Sequence, residues 1–192
     1  MLNKKEEKIV RTFVSVAPTE AVLHELERLM EAFRRASEGC AYRWIRPSQL
    51  HITLKFLGEA PFSKVEVLRS ALREIAVPPF SISLDEGGAF PKASAPRVVW
   101  LGAGEGGKAL KSLAERVDFV SGECGFPLER RAFKVYLSIA RLKGGDRLTA
   151  PLLSLLENLP LLVWRCGSFS LMQSELTREG PIYTPVEVYP LD

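Results

Sequence analysis

The sequence predicts an α+β fold in which antiparallel sheets are flanked by helices and arranged as two related halves. Three observations carry this. Alternating strand patterns are in places separated by amphipathic helices, but elsewhere they adjoin directly, which suits antiparallel pairing and not a doubly wound parallel sheet. No low-complexity linker divides the 192 residues, so residues 1–192 are expected to form one bilobal domain. One strand pattern occurs twice, at residues 51–57 and again at 136–142.

Residues 9–16 alternate as a strand. Pro18 and Thr19 then open a helix with Val22, Leu26, Leu29, Met30 and Phe33 at helical spacing, ended by Gly39. His24 lies off that stripe, near Arg28, Glu31 and Arg35, and reads as a surface residue. Pro47 turns the chain into the strand 51–57, which Gly58 and Pro61 close. Ser63 and Glu66 have the spacing of a capping box. The helix behind them turns Leu68, Ala71, Leu72 and Ile75 inward and stops at Pro78 and Pro79. Residues 80–84 read as a strand, 87–92 as a loop, and 97–101 as a strand ended by Gly102 and Gly104. A helix over 108–120 carries Leu110, Leu113, Val117 and Val120 on one stripe. The strand 133–141 passes through a Gly144–Gly145 turn into a helix with Leu148, Leu152, Leu155, Leu156 and Leu159 inward. Pro151 sits in its first turn, where proline is tolerated. Two last strands are expected around 162–172 and 183–188, joined by a turn at Glu179, Gly180 and Pro181.

The net charge of +3 and the pI near 8.8 permit an anionic partner. No block of like charges suggests a nucleic-acid-binding tail, and the start from Lys4 through Lys5, Glu6 and Glu7 to Lys8 is of mixed sign. Cys40, Cys124 and Cys166 are far apart and odd in number, and only two histidines occur, a composition that argues against a zinc site and for a reducing compartment. No apolar signal core or membrane-length apolar run is present. The expectation is a monomeric cytoplasmic protein with no cofactor, no metal and no membrane partner.

The strand 51–57 is the centre of the functional reading. Strict alternation puts His51, Thr53 and Lys55 on one face, with Ile52, Leu54 and Phe56 on the core face. An imidazole, a hydroxyl and an ammonium in a row are a set that can hold and attack a phosphate. In the second copy Tyr136 takes the place of His51, Ser138 that of Thr53, and Leu142 that of Leu57. A pseudo-two-fold arrangement would bring the two polar faces together across a central cleft, where two imidazoles, had both copies kept one, could act in turn as general base and general acid.

These segments resemble the 2H phosphoesterases, specifically the RNA 2′,3′-cyclic phosphodiesterases long called 2′–5′ RNA ligases. The likeness rests on Arg11 to Val16, on Trp44, Ile45, Arg46 and Pro47 leading into His51–Gly58, on Gly88, Ala89, Phe90 and Pro91 followed by Arg97–Trp100, and on Phe133, Lys134 and Leu137–Arg141. The resemblance implies two antiparallel lobes around a cleft and metal-free opening of a 2′,3′-cyclic phosphate, on RNA ends or nucleotides, to a 2′-phosphate. It implies His51 as a catalytic group, Thr53 and Ser138 as phosphate-holding hydroxyls, and Arg141 as a phosphate neighbour. Strict alternation puts Arg141 on the face opposite Ser138, so only a local bulge or a long reach would bring it in. The departure is Tyr136, which stands where the family has its second histidine; a tyrosine hydroxyl can give a proton near neutral pH but is a poor base. Two alternatives stand beside hydrolysis: a non-catalytic binder of RNA ends or cyclic nucleotides, and 2′–5′ ligation at the same cleft.

Overall fold

The computed structural model describes residues 7–142, 147–178 and 180–192. The expected Gly144–Gly145 turn, Glu179 and the charged start up to Glu6 lie outside them. Nine strands and four α-helices run in the order β1 (Ile9–Val16), α1 (Glu20–Ala36), β2 (Tyr42–Trp44), β3 (Ile52–Pro61), α2 (Phe62–Ala71), β4 (Phe80–Phe90), β5 (Val98–Ala103), α3 (Gly107–Glu123), β6 (Tyr136–Leu142), α4 (Ala150–Glu157), β7 (Leu162–Cys166), β8 (Ser168–Thr177) and β9 (Gly180–Pro190), counted among the described residues. All strand pairs are antiparallel.

Eight of the nine strands divide into two matching sets of four, and the short β2 pairs with β6 beside them. One lobe has the order β3-β1-β8-β9 and the other β6-β5-β4-β7, with β3 and β6 adjacent where the lobes meet. The β3–β6 contact is a single register pair, Ile52 opposite Leu137. Those two residues occupy the same position in the two sequence copies, so the pseudo-two-fold axis passes between them. Helices α2 and α3 pack on the β3 lobe, while α4 lies on β4 and α1 against α4 and β7. Helix α1 follows its apolar stripe, burying Val22, Leu26, Met30 and Phe33, and carries Glu20 in its first turn and Arg34 and Arg35 in its last, as the helix dipole favours. One contiguous apolar cluster runs under both lobes, with Ile52 and Leu137 fully buried in it.

Four sequence readings change. The segment 87–92 is not all loop: β4 continues to Phe90, pairing first with β7 and then with β5. Its glycines are there for close approach. A Cβ on Gly87 would lie 2.7 Å from the Leu156 carbonyl, and one on Gly88 2.6 Å from the Trp100 ring. The expected strand 162–172 is two strands, broken at Gly167: β7 closes the edge of one lobe and β8 enters the other. The capping box does not form, because α2 starts at Phe62 and the Ser63 hydroxyl bonds the Glu7 carboxylate instead. Strict alternation also fails in β3. Leu54 is an extra residue opposite β1, since Val14 pairs with Lys55 but Ser15 pairs with Thr53. Beyond that bulge Lys55 turns inward and Phe56 turns out, with exposures of 6% and 64%.

The buried Lys55 ammonium donates to the Asp118 carboxylate of α3 and, at 2.8 Å, to the Pro127 carbonyl. It is therefore a structural tie between the strand and the helix behind it, not a member of the phosphate-facing row. Removing one partner of such a pair leaves a charge without compensation, whereas an apolar isostere removes the cost of burying it. Asp118→Ala should destabilise the protein by about 3 kcal/mol in urea unfolding, and Lys55→Met should cost distinctly less. Equal losses would mean that the ammonium is solvated rather than held by Asp118.

Candidate active site

The strands β3 and β6 lie side by side where the lobes meet, and the concave space above them is a cleft of about 350 Å³. His51, Thr53, Tyr136, Ser138 and Arg141 all line it, so the structure brings these five together, while Lys55, the third member of the expected row, is turned away. With Ile52 opposite Leu137, the antiparallel register places His51 across from Ser138 and Thr53 across from Tyr136. Each ring thus faces the hydroxyl residue of the other copy. The two rings are diagonal neighbours, which in a regular pair stand about 7–8 Å apart.

Arg141 reaches the cleft by a bulge. Val99 pairs with Ala140 but Trp100 pairs with Ser138, so Ile139 is the extra residue of β6. Ile139 and Ala140 are both buried, and Arg141 emerges on the side of Ser138. This is the same bulge as the one at Leu54, at the equivalent place in the other copy. Phe56 is accordingly the counterpart of Arg141, and it too lines the cleft.

His51 is partly buried and held from three sides. Its Nδ1 lies 2.7 Å from the Gln49 carbonyl oxygen, which can only accept, so Nδ1 carries the proton and Nε2 the lone pair. The Phe13 ring stacks on it with centroids 4.8 Å apart, and the Tyr183 ring meets it edge-on at 5.3 Å. Burial pushes its pKa below the ordinary 6.5; the Gln49 hydrogen bond opposes this, and the Arg141 guanidinium adds to it. The imidazole is therefore neutral near pH 7, in the form that accepts a proton. Tyr136 has its own aromatic support. Phe90 meets its ring edge-on at 5.1 Å, and Phe90 in turn stacks on Trp100 at 5.1 Å.

The field in the cleft is positive. Arg11, Arg43, Arg46 and Arg141 line it, and no Asp or Glu does so among the described residues. Such a site attracts anions, and guanidinium groups can contact phosphate oxygens in pairs. No group of three or more His, Cys, Asp or Glu side chains that could hold a metal ion occurs among the described residues. Nor is any helix long and apolar enough to cross a membrane.

Known proteins resemble this chain in sequence and fold. The model of the family described as LigT-like phosphoesterase matches residues 16–100. An RNA 2′,3′-cyclic phosphodiesterase of Methanothermobacter thermautotrophicus is 33% identical over 187 residues, covering 95% of this chain and 99% of its own. The chain belongs to the LigT-like phosphoesterase family. A second relative in this family, the RNA 2′,3′-cyclic phosphodiesterase of Aquifex aeolicus, is 32% identical over 187 residues, covering 95% of this chain and 97% of its own. A solved protein of Thermus thermophilus superposes with a TM-score of 0.77 at 28% identity, covering 94% of this chain and 97% of that one. The E. coli LigT complexed with 3′-AMP has a TM-score of 0.78 at 23% identity, a likeness of fold alone.

In this LigT-like phosphoesterase the sequence reading missed the residues that hold the rings. Phe13, Phe90 and Tyr183 come from three separate segments that no spacing links to the motif copies, and Gln49, two residues before His51, acts through its backbone carbonyl, which its side chain does not announce. The bulges did leave a trace: Ile139 and Ala140 are adjacent apolar residues in an otherwise alternating run. An NMR titration of the His51 ring should give a midpoint below 6.5, in a resonance that His51→Asn removes. Arg141→Gln should move that midpoint upward by removing a positive neighbour. A midpoint that stays in place would mean that Arg141 does not bear on the imidazole.

Proposed function

We propose that this LigT-like phosphoesterase hydrolyses 2′,3′-cyclic phosphates at RNA ends or on nucleotides to 2′-phosphates by general acid–base catalysis. His51 is the base, Tyr136 the acid, and Thr53, Ser138 and Arg141 hold the phosphate oxygens. The observation that carries the reading is the His51 tautomer: with Nδ1 engaged by the Gln49 carbonyl, Nε2 is free to accept. The relatives named RNA 2′,3′-cyclic phosphodiesterase, matched over nearly their whole length, supply the substrate class. As part of the same reading, residues 1–192 form one bilobal domain that works as a cytoplasmic monomer, without a resident metal or cofactor.

Water attacks phosphorus as Nε2 of His51 takes its proton. The bond from phosphorus to the ribose O3′ breaks on the opposite side, and O3′ takes the Tyr136 hydroxyl proton. The 2′-phosphate departs, and exchange with solvent returns a proton to Tyr136 and removes one from His51. Ring opening in line requires the two groups on opposite sides of phosphorus, which the diagonal placement of the rings supports.

Initial rates on a 2′,3′-cyclic nucleotide test this. His51→Ala should abolish turnover, and Tyr136→Phe should lower it. Tyr136→His should raise it by roughly 10²-fold, within the range that general acid–base catalysis contributes. If both Tyr136 variants match the parent, Tyr136 is a spectator; if only Tyr136→His is active, the natural protein is a binder of cyclic phosphate ends.

The phosphate cradle has its own test. Thr53→Ala/Ser138→Ala should weaken binding of a 2′-phosphorylated nucleotide by roughly 10-fold or more, as expected from losing hydrogen bonds to a charged group. Calorimetric titration measures this, and unchanged affinity would remove both hydroxyls from the site.

A further inference from the structure

The cleft is unequal at its two ends. At Tyr136 it continues into a second groove of about 340 Å³, which shares Thr53, Phe56 and Tyr136 with it and which His51 does not border. At His51 it is covered. The β8–β9 hairpin belongs to the β3 lobe, yet its tip crosses to the opposite wall. There the Gln49 side-chain amide donates to the Pro181 carbonyl, and a Cβ on Gly180 would stand 2.9 Å from the Arg43 guanidinium of β2. Strand β2 is paired with β6 of the other lobe. Resting on the phosphodiesterase reading above, we infer that Tyr183 and this tip select the nucleophile. They admit water to the phosphorus and exclude the hydroxyl of a second nucleoside or strand.

Ring opening has the same geometry for either nucleophile. The attacking oxygen and the leaving O3′ are apical and opposite, the first beside His51 and the second beside Tyr136. His51 takes the proton of the attacking oxygen, the bond from phosphorus to O3′ breaks, and O3′ takes the Tyr136 proton. Attack by water yields a 2′-phosphate. Attack by an alcohol joins its oxygen to phosphorus and yields a 2′-phosphodiester. Base, acid and leaving group are common to both, so they do not separate the two reactions. The difference is what the attacking oxygen carries into the space beside His51, a hydrogen or a whole sugar.

That space is bounded by packed groups. Phe13, buried on β1, stacks on the imidazole at 4.8 Å. Tyr183 of β9 meets both rings edge-on, at 5.3 Å from His51 and 5.0 Å from Phe13. Gln49 closes a third side through the carbonyl that engages Nδ1. The hairpin carrying Tyr183 is a stiff arm. Ten register pairs run from Ser168 opposite Pro190 to Thr177 opposite Gly180, and the Thr177 hydroxyl donates to the Gly180 carbonyl at 2.6 Å. Its tip is fastened at Pro181, so Tyr183, two residues on, has little freedom to swing aside. Arg43 and Arg46 line the cleft on this side, and polar walls suit a water, whose share of the liquid is about 30 Å³. Clashes built against a competitor discriminate as effectively as contacts made to the chosen partner. The Tyr136 end has no such cover, which leaves room for the ribose that O3′ carries.

The test is a product partition. Adenosine 2′,3′-cyclic phosphate is opened in water containing equal concentrations of methanol and 3′-deoxythymidine, whose one hydroxyl is the 5′. Mass spectrometry then counts the methyl ester, the nucleoside ester and the 2′-phosphate. The parent should form the nucleoside ester about 10-fold less often than the methyl ester, the scale on which a pocket discriminates by size. Tyr183→Ala should raise the ratio of nucleoside to methyl ester by about 10-fold, and Tyr183→Phe should keep the parent ratio. Gln49→Ala, which unfastens the tip, should raise it as well. The ratio is set within one enzyme–substrate complex, so a variant that merely packs less well loses rate without moving it. A parent ratio near one overturns the inference, and so does an identical partition in Tyr183→Ala, esters absent from both included. If no form opens the ring, the phosphodiesterase reading fails on its own account. The cover is then read by carbethoxylation of His51 with diethyl pyrocarbonate, against the exposed His24 as reference. Faster modification of His51 in Tyr183→Ala but not in Tyr183→Phe supports the cover, and an unchanged rate overturns it.

Discussion

The site depends on one backbone meeting, Ile52 against Leu137. Each lobe completes its own ladder on the far side of β3 or β6, and at the seam β3 and β6 meet through this pair, with β2 laid along the same edge of β6. Both side chains are fully buried, so the seam is closed beneath the cleft by the common apolar cluster. The residues on either side of each then face the open side, because neighbours on a strand alternate. A single pair on a pseudo-two-fold axis therefore places two rings and two hydroxyls around one point.

Two demands compete within that concavity. A phosphate needs a positive field, which the cleft arginines supply. A general base near neutral pH must itself remain uncharged. The same Arg141 serves both ends, since it attracts an anion and disfavours a second positive charge on His51. Burial between Phe13 and Tyr183 works in the same direction. The aromatic packing is thus part of the electrostatics as well as a mechanical support.

Much of this was legible in the sequence, and what was not has identifiable physical causes. Helix α1 was readable from Val22, Leu26, Met30 and Phe33, because a buried stripe must repeat at the helical period. The two lobes were readable because the pattern at His51 repeats at Tyr136. The bulge in β6 left only the adjacent apolar pair Ile139 and Ala140 as a trace, and in β3 Lys55 misled: a charged residue in an alternating run looks solvent-facing, and nothing local reveals Asp118 waiting on α3. Ser63 and Glu66 misled in the same way, since a capping spacing cannot reveal that Glu7 competes for the hydroxyl. The split at Gly167 was hidden because β7 and β8 are each regular strands whose partners lie far away in sequence. The rings around His51 were hidden for that same reason, being contributed by β1 and β9.

Gln49 links two of these features. Its backbone carbonyl holds Nδ1 of His51, while its side-chain amide donates to the Pro181 carbonyl near the start of β9. The rim of the cleft and the tautomer of its imidazole are thus attached to a single residue. Loops at the mouth of a cleft are the usual place to alter what it admits, because they tolerate insertion. In this protein the β8–β9 hairpin is not a free handle of that kind. Remodelling its tip to admit a different guest would also pull on the anchor that fixes the His51 tautomer, so the shape of the rim and the state of the imidazole cannot be tuned separately there.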